Sequence, residues 1–324
     1  MDYKTRVVVL TAPGEPELPG LDSIRGEADI IHVSEEAELK QALTTAEVLV
    51  ITDFRTEVLR RAWPVEHRID WLHATSAGVD MLMFPELVKS DVVITNARGV
   101  FDRGIAEYVL GAILIFAKDT LRNIQLQREH IWQHRETELI KNRKVLIVGA
   151  GSIGREVSIM LRSLGMQVIA TATQAREDMD FDAVYANDDL YQLLPDADFV
   201  VITTPLTEKT EGLFDREVFE HMRNSARLIN VGRGPIVRTT DLIDALRDGL
   251  IAGAVLDVFE EEPLPVDSPL WDMSNVMISA HMAGDFIGWR KALGEQFSEN
   301  FRHWQKKEPL MNIVDKRRGY AASR

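Results

Sequence analysis

Residues 144–157 read KVLIVGAGSIGREV, in which an apolar run is followed by three spaced glycines and the start of a helical pattern. Gly149 permits a tight turn, Gly151 lets backbone amides approach a pyrophosphate, and Gly154 lets the helix pack closely against the strand. The glycine spacing alone is a weak signal, but here the preceding strand and the following helix are both present. The stretch therefore predicts the βα turn of a dinucleotide-binding domain.

The residues after these glycines indicate which dinucleotide binds. The N–H groups of Ser152 and Ile153 open the helix, where the positive end of the helix dipole favours phosphate. In domains that bind NAD, an Asp or Glu about 20 residues further on bonds the adenosine ribose. Here Thr171 and Thr173 close the second strand and Arg176 follows, and a guanidinium can pair with the 2′-phosphate of NADP. We therefore predict NADP(H) as the preferred cofactor, bound through Thr173 and Arg176. NAD(H) is the alternative if Arg176 is only a solvated loop charge.

Short apolar runs alternate with helical segments along the whole chain, and this order predicts an α/β protein. Runs too continuous for half-exposed strands are typical of parallel sheets covered on both faces. The predicted strands of a first series are residues 7–10, 30–33, 48–51, 71–73 and 92–95. Those of a second series are residues 145–148, 168–172, 199–203, 228–231, 254–257 and 276–279. We therefore expect two domains, each a doubly wound parallel sheet, with a cleft between them.

The last helical pattern sets the predicted domain boundaries. It covers residues 286–307 and ends before Pro309, because proline cannot continue a helix. We expect this helix to return the chain to the first domain. The predicted division is therefore residues 1–98 with 286–324 in the first domain and residues 99–285 in the second.

The composition excludes several classes of function. Acidic residues outnumber basic ones by 51 to 37, and the resulting net charge of −14 disfavours nucleic acid and anionic membrane surfaces as partners. The absence of cysteine excludes disulfides, a thiolate nucleophile, Fe–S clusters and Cys-ligated zinc. The longest strongly apolar stretch, residues 109–117, is about half of the ~20 residues that span a bilayer. We expect a soluble, cytoplasmic protein without an export signal.

A pair of histidines suggests a metal site that the rest of the motif does not support. His130 and His134 are four residues apart in a helical pattern, within a predicted linking helix and arm at residues 118–138. That spacing would put both imidazoles on one face of a helix. The pattern lacks the His-Glu-x-x-His order and a third ligand. No metal is therefore predicted.

Three segments follow strands of the second series and carry polar groups: NVGRGP at 230–235, DVFEEEP at 257–263 and SAHMAG at 279–284. Such loops lie at the carboxyl edge of a parallel sheet, where α/β proteins bind ligands. With five further segments, they make the sequence resemble the D-isomer-specific 2-hydroxyacid dehydrogenases over nearly its whole length. These five are SAGVD at 76–80, TNARG at 95–99, AE at 106–107, TPL at 204–206 and the glycine turn at 149–154. The resemblance implies a flavodoxin-like substrate domain followed by a Rossmann NAD(P)-binding domain.

The resemblance also assigns three catalytic residues. It implies that Arg233 binds the substrate carboxylate, that His281 is the acid/base, and that Glu262 orients His281. The planar fork of arginine suits a carboxylate, and an imidazolium can protonate the carbonyl oxygen of a 2-keto acid while hydride reaches C2. Each residue also has a structural alternative: a solvated acidic loop, a buried histidine or a salt-bridge arginine.

Further binding residues follow from the same resemblance. The backbone amides of Ala77 and Gly78 are expected to hold the substrate carboxylate. The residues expected beside the cofactor, besides the glycine turn and Arg176, are Thr204, Pro205, Val231, Gly232, Asp257 and Gly284. Ala280 stands where the family usually has proline. Asp285, Trp289 and Arg290 either shape substrate selection or cap and pack the last helix.

The predicted function is hydride transfer between NADP(H) and a small 2-keto acid or D-2-hydroxy acid, similar to glyoxylate/hydroxypyruvate reductases. An NAD-dependent enzyme of the phosphoglycerate dehydrogenase type is the alternative within the family. A corepressor-like protein that senses nucleotides with little turnover is the alternative from another class. The resemblance alone implies a homodimer formed through the nucleotide domain and the 118–138 arm.

Overall fold

The computed structural model describes residues 4–52 and 55–321. Numbered along the chain, the strands are β1 Thr5–Leu10, β2 Ala28–Val33, β3 Val48–Ile51, β4 Trp71–Ala74, β5 Val93–Asn96, β6 Lys144–Val148, β7 Gln167–Ala172, β8 Ala183–Ala186, β9 Phe199–Ile202, β10 Arg227–Asn230, β11 Gly253–Leu256, β12 Val276–Ile278, β13 Val314–Asp315 and β14 Tyr320–Ala321. The helices are α1 Glu36–Leu43, α2 Thr56–Ala62, α3 Pro85–Lys89, α4 Asp102–Ala117, α5 Thr120–Arg128, α6 Ser152–Ser163, α7 Leu190–Leu193, α8 Arg216–His221, α9 Thr239–Asp248 and α10 Trp289–Gln305.

The chain divides into two compact units, residues 1–101 with 286–324 and residues 102–285. The boundary predicted at residue 98 lies just before α4. The first unit contains a parallel sheet of five strands in the order β2-β1-β3-β4-β5, which is the flavodoxin-like order. The second contains a parallel sheet of seven strands in the order β12-β11-β10-β9-β6-β7-β8, which extends the Rossmann order. The prediction of two doubly wound parallel-sheet domains is confirmed.

Continuous apolar strands form the core of each unit, as expected for sheets covered on both faces. All four residues of β9 are buried, and so are all four of β3. In the first unit, α10 supplies Phe297 and Phe301, and the ring of Phe297 stacks on Trp71 of β4 with centroids 5.1 Å apart. The predicted second series lacks β8, a short edge strand, AVYA, with mixed burial.

The segment after α4 departs from the sequence prediction. Helix α5 ends at Arg128, so the prediction that places His130 and His134 on one helix is wrong. The chain leaves the helix at His130, whose φ is +55°, and Arg135 then donates to Asp119 at 2.5 Å. The apolar side chains Ile131 and Trp132 that follow α5 are exposed, so no packing against a core extends the helix through this segment. Within residues 4–52 and 55–321, no group of three or more potential metal ligands is found.

No helix in the part of the chain that the structure describes is both long enough and apolar enough to cross a bilayer.

Candidate active site

The glycine turn joins β6 to α6 and has the close packing that its sequence predicts. Gly149 has a φ of +116°, and a Cβ there would lie 2.7 Å from the backbone nitrogen of Thr204. A Cβ on Gly154 would collide with the carbonyl oxygen of Gly149. By contrast, a Cβ on Gly151 would meet nothing within 4 Å. Open space therefore lies at the start of α6, where Ser152 and Ile153 begin the helix and the helix dipole favours an anion.

The carboxyl end of β7 offers hydroxyl groups and a guanidinium. Thr171 is buried, and its Oγ1 has no hydrogen-bond partner in the described residues. Arg176 Nη2 donates to the carbonyl oxygen of Ala150 at 2.9 Å, which holds the guanidinium beside the glycine turn. Thr173 is exposed between them in the sequence. An open glycine turn with an unpartnered hydroxyl and a cation beside it fits a dinucleotide cofactor.

Asp178 lies close to the Arg176 guanidinium, but its negative charge is paired with Arg155. Arg155 of α6 donates to both carboxylate oxygens of Asp178 at 2.7 Å. Arg176 lies 3.4 Å from one of the same oxygens. The pKa of Asp178 lies below its ordinary value because these arginines and the Asp180 amide outweigh the effect of burial. Asp178 is therefore ionised and bound to Arg155.

Glu262 and His281 form a hydrogen-bonded pair at the same edge of the second sheet. Glu262 Oε2 lies 2.8 Å from His281 Nδ1, and Glu262 Oε1 accepts from the Phe259 amide at 2.9 Å. A carboxylate at Nδ1 selects the tautomer with its proton on Nδ1. Nε2 is then the ring atom that can exchange a proton with another molecule. The side chain of His281 is half-exposed.

The charge balance around Glu262 keeps its carboxyl group ionised. Burial raises the pKa of Glu262, but hydrogen bonds from His281 and the Phe259 amide outweigh it. The positive charges of His281 and Arg233 act in the same direction, so the pKa lies below its ordinary value. Arg233 itself donates to the carbonyl oxygen of Gly232 at 2.9 Å. The structure thus brings Arg233, Glu262 and His281 together within one unit.

The three successive acids at 260–262 have different surroundings. Glu260 Oε2 accepts from the Thr239 amide at 2.6 Å, which satisfies a free N–H at the start of α9. Glu261 is exposed. Within the described residues, Glu262 is the one of these three acids that forms a hydrogen bond with His281.

The other residues predicted near the cofactor follow parallel strands of one sheet, so they share its carboxyl edge. They are Thr204 and Pro205 after β9, Val231 and Gly232 after β10, and Asp257 after β11. A Cβ on Gly232 would lie 3.0 Å from the carbonyl oxygen of Thr204, so these loops pack backbone to backbone. Gly284 is within the loop that follows β12, and its carbonyl oxygen faces Gly104. Their contacts with a cofactor stay predictions.

Asp257, which is expected to lie beside the cofactor, also has a structural role. It is buried, and its carboxylate accepts from the Ser279 hydroxyl at 2.5 Å and from the Met282 and Ala283 amides at 2.9 Å each. These contacts fasten the loop that carries His281. The sequence segments contained Ser279 and Asp257, but the contact between them was not predicted. Tyr108, which lies 2.5 Å from the Ser279 hydroxyl, was missed altogether.

In the first unit, Ala77 and Gly78 lie in the loop after β4. The Asn96 amide donates to the carbonyl oxygen of Ala77 at 2.5 Å, and the Ser76 hydroxyl donates to that of Gly78 at 2.6 Å. No hydrogen bond from the amide of Ala77 or Gly78 is found in the described part of the chain. With their carbonyls fixed and their N–H groups available, the loop suits an anion. Its contact with a substrate carboxylate stays a prediction.

Two of the residues left open after the histidine segment pack the last helix. Arg290 Nη2 donates to the carbonyl oxygen of Pro16 at 2.7 Å, and Nη1 lies 3.2 Å from Glu15. Its guanidinium also lies over the Trp289 ring. These contacts favour the packing alternative for Arg290. Burial, helped by the charge of Asp257, raises the pKa of Asp285, while the charge of His281 opposes it.

Comparison with known proteins gives matches over nearly the whole chain. The model for the D-isomer specific 2-hydroxyacid dehydrogenase NAD binding domain matches residues 110–283. A glyoxylate reductase from Thermofilum pendens is 30% identical over 97% of this chain and 94% of its own length. A D-isomer specific 2-hydroxyacid dehydrogenase family protein from Aeromonas salmonicida is 31% identical, with a TM-score of 0.82 over 97% of this chain and 100% of its own. An NADPH-dependent glyoxylate/hydroxypyruvate reductase from Sinorhizobium meliloti, solved with NADP and sulfate, is 25% identical, with a TM-score of 0.85 over 98% of this chain and 100% of its own.

Proposed function

Because the chain belongs to the D-isomer specific 2-hydroxyacid dehydrogenases, which are NAD(P)-dependent oxidoreductases, we propose that it prefers NADP(H) and reduces a small 2-keto acid such as glyoxylate or hydroxypyruvate. The observation that carries this proposal is the Glu262–His281 hydrogen bond of 2.8 Å, with the charge of Arg233 beside it. This pair shares a sheet edge with the glycine turn. Reduction of the keto acid to the D-2-hydroxy acid needs a proton and a hydride, and His281 is positioned to give the proton.

The side chains divide the chemistry between them. The Arg233 guanidinium binds the substrate carboxylate and orients the adjacent carbonyl. Protonated His281 gives its Nε2 proton to the carbonyl oxygen, and in the reverse direction neutral His281 removes the hydroxyl proton. Glu262 accepts from Nδ1 throughout, which holds the ring in place and stabilises its charged form. The nicotinamide cofactor, when bound, supplies the hydride to C2 or takes it back.

The residues proposed to hold the cofactor are those of the glycine turn, Ser152, Ile153, Thr173 and Arg176. The absence of a carboxylate at the end of β7 supports NADP(H), since a carboxylate there would repel the 2′-phosphate. The ion pair between Asp178 and Arg155 also supports NADP(H), because it balances the negative charge of Asp178 beside Arg176. The complex of the Sinorhizobium meliloti reductase with NADP is consistent with it.

A substrate and cofactor panel tests the proposed function. The purified protein is assayed with glyoxylate, hydroxypyruvate, pyruvate and 3-phosphohydroxypyruvate, each with NADPH and with NADH. We expect the highest kcat/KM with glyoxylate or hydroxypyruvate and NADPH. A preference for 3-phosphohydroxypyruvate with NADH would favour an enzyme of the phosphoglycerate dehydrogenase type. Tight NADPH binding without turnover of any keto acid would favour a nucleotide-sensing protein.

Replacing Arg176 with alanine is expected to weaken NADPH selectively. The guanidinium would lose charge-assisted bonds to the 2′-phosphate, and such bonds are worth about 1.5–3 kcal/mol each. We therefore expect the Kd of NADPH, measured from its fluorescence on binding, to rise by about 10- to 100-fold, since about 1.4 kcal/mol is a factor of ten. The Kd of NADH should change by less than about threefold, because NADH lacks that phosphate.

The matched control for this prediction is Arg216→Ala. Arg216 forms surface ion pairs with Glu220 and Asp248 on the same unit, away from the glycine turn. This variant should bind both cofactors as the wild type does. An equal loss of NADPH and NADH affinity in Arg176→Ala would contradict a 2′-phosphate contact.

We also propose a homodimer in which the segment after α5 is covered. Trp132 is 99% exposed and Leu139 is 74% exposed, so large apolar side chains of this segment meet solvent in the single chain. Burying them against a second copy would remove apolar surface from water. Light scattering should give twice the chain mass for the wild type and a shift toward a single chain for Trp132→Glu. Single-chain mass for the wild type would contradict the proposal.

A further inference from the structure

The backbone of His281 has a left-handed conformation, in a loop with no proline before the histidine. Its φ is +50°, in the left-handed region that non-glycine residues adopt infrequently. Ala280 precedes it, so no proline ring restrains the chain at that point. The His281 amide donates to the carbonyl oxygen of Asp257 at 2.8 Å. The loop that carries His281 is thus bonded to the residue that follows β11.

Asp257, directly after β11, also binds this loop through its side chain. Its Oδ1 accepts from the Met282 amide and its Oδ2 from the Ala283 amide, both at 2.9 Å. The backbone amides of the two residues after His281 are thus hydrogen-bonded to the residue that follows β11. Asp257 is buried, with 2% of its surface exposed, so water competes little for these bonds.

Ser279 and Tyr108 extend this arrangement away from the loop. The Ser279 hydroxyl donates to Asp257 Oδ1 at 2.5 Å, and the Tyr108 oxygen lies 2.5 Å from the Ser279 oxygen. A serine hydroxyl can donate one hydrogen bond, and here the Ser279 hydroxyl donates it to Asp257 Oδ1. The Tyr108 hydroxyl must therefore donate to Ser279. Burial raises the pKa of Tyr108, the Ser279 bond opposes this and the Asp257 charge adds to it, so the phenol keeps its proton.

Helix α4 places Tyr108 against the loop. Ile105 and Ala106 of that helix are buried, and a Cβ on Gly104 would lie 3.0 Å from the carbonyl oxygen of Gly284. One face of α4 therefore contacts both ends of the loop, at Ser279 through a hydrogen bond and at Gly284 through close packing. A substitution at the phenol oxygen can change the loop without touching any group that meets substrate.

We propose that Tyr108 is a positioning residue for His281, acting through the hydrogen-bonded chain of Ser279 and Asp257. The proposal rests on the acid/base role of His281 in the proposed function. It predicts that loss of the phenol hydroxyl impairs proton transfer more than binding. Because the contact runs through Ser279, loss of the serine hydroxyl should have the same consequence.

The test compares Tyr108→Phe, Ser279→Ala, their double variant and Ser279→Thr in the full-length enzyme, assayed with glyoxylate and NADPH. Tyr108→Phe should lower kcat by about three- to tenfold, the size expected for one hydrogen bond. The KM for glyoxylate and the Kd of NADPH should stay within about twofold. The double variant should be no slower than Ser279→Ala, and Ser279→Thr, which keeps a hydroxyl, should be near wild type. Tyr185→Phe, on the exposed edge strand β8, is the control and should be unchanged.

The outcomes separate this proposal from the proposed function. If the effects of Tyr108→Phe and Ser279→Ala multiply in the double variant, the two residues act independently and the positioning chain is overturned. A wild-type kcat for Tyr108→Phe, whether or not its melting temperature falls, overturns it as well. Wild-type turnover by His281→Gln would instead overturn the acid/base role itself, whatever Tyr108→Phe does.

Discussion

Replacing His281 with glutamine is expected to lower kcat/KM for the keto acid by about 10²- to 10⁴-fold, the range for loss of a general acid–base group. Glutamine can keep a hydrogen bond to Glu262 but cannot give or take the proton that the carbonyl oxygen needs. Within the described residues, no hydrogen bond joins the imidazole to the glycine turn or to Arg176. The Kd of NADPH should therefore stay within about twofold of wild type, because the lost interaction belongs to the transition state.

The control for this variant is a histidine of the same unit that has no predicted role. His221 is at the end of α8, exposed, with Nδ1 against the carbonyl oxygen of Glu217. His221→Gln should therefore leave kcat/KM unchanged. Steady-state rates and NADPH fluorescence titrations on both variants check the prediction. If His281→Gln kept turnover within about tenfold of wild type, another group would have to supply the proton.

The sequence predicted the local parts of the candidate site because each of them is formed by adjacent residues. The glycine turn is a contiguous strand, loop and helix, in which Gly149 and Gly154 make close approaches and Gly151 faces open space. Glu262 and His281 lie on different loops, and it was the resemblance that linked them. The choice of Glu262 among three acids was likewise made by resemblance, and only the folded chain gives Glu260 its separate task at α9.

The parts that sequence could not provide depend on contacts between distant elements. Tyr108 and Ser279 are 171 positions apart in the sequence, and no periodicity in either segment predicts their hydrogen bond. The end of α5 is similar, because the chain turns back so that Arg135 donates to Asp119, 16 positions away. Edge strand β8 was not predicted, because its run AVYA is only four residues long, half of them alanine, and carries no β-branched residue besides Val184.

A second histidine, His73, is expected to make the protein less stable in acid. It lies on β4 at 0% exposure, with Nδ1 at 2.8 Å from the Thr95 hydroxyl oxygen. Trp71 Nε1 donates to that same oxygen, and His73 Nε2 is buried with no partner in the described residues. Desolvation by burial lowers the pKa of His73 from 6.5 to about 3. The folded protein therefore holds this imidazole neutral at pH values where an exposed histidine is charged.

The sign of the effect follows from which state takes up the proton. Between pH 6.5 and about 3 the unfolded chain protonates His73 and the folded chain does not. The free energy of unfolding contributed by this residue is therefore retained above the unfolded pKa and falls as the pH drops below it, by up to about 1.4 kcal/mol per pH unit. From about pH 7.5 to about pH 4.5 the expected loss is roughly 2–3 kcal/mol.

Because carboxylates and other histidines also titrate in this range, the useful quantity is the difference between wild type and His73→Leu. Leucine removes both the titration and the unpartnered nitrogen, so the variant should lose roughly 2–3 kcal/mol less than wild type between the two pH values in urea unfolding. The control is His130→Gln, at a residue outside any helix. Its free energy of unfolding should fall as much as that of the wild type between the two pH values. Equal losses in wild type and His73→Leu would mean that His73 titrates alike in both states. An NMR titration of the wild type checks this directly, since the His73 ring signal should not move above about pH 4.5 if burial keeps it neutral.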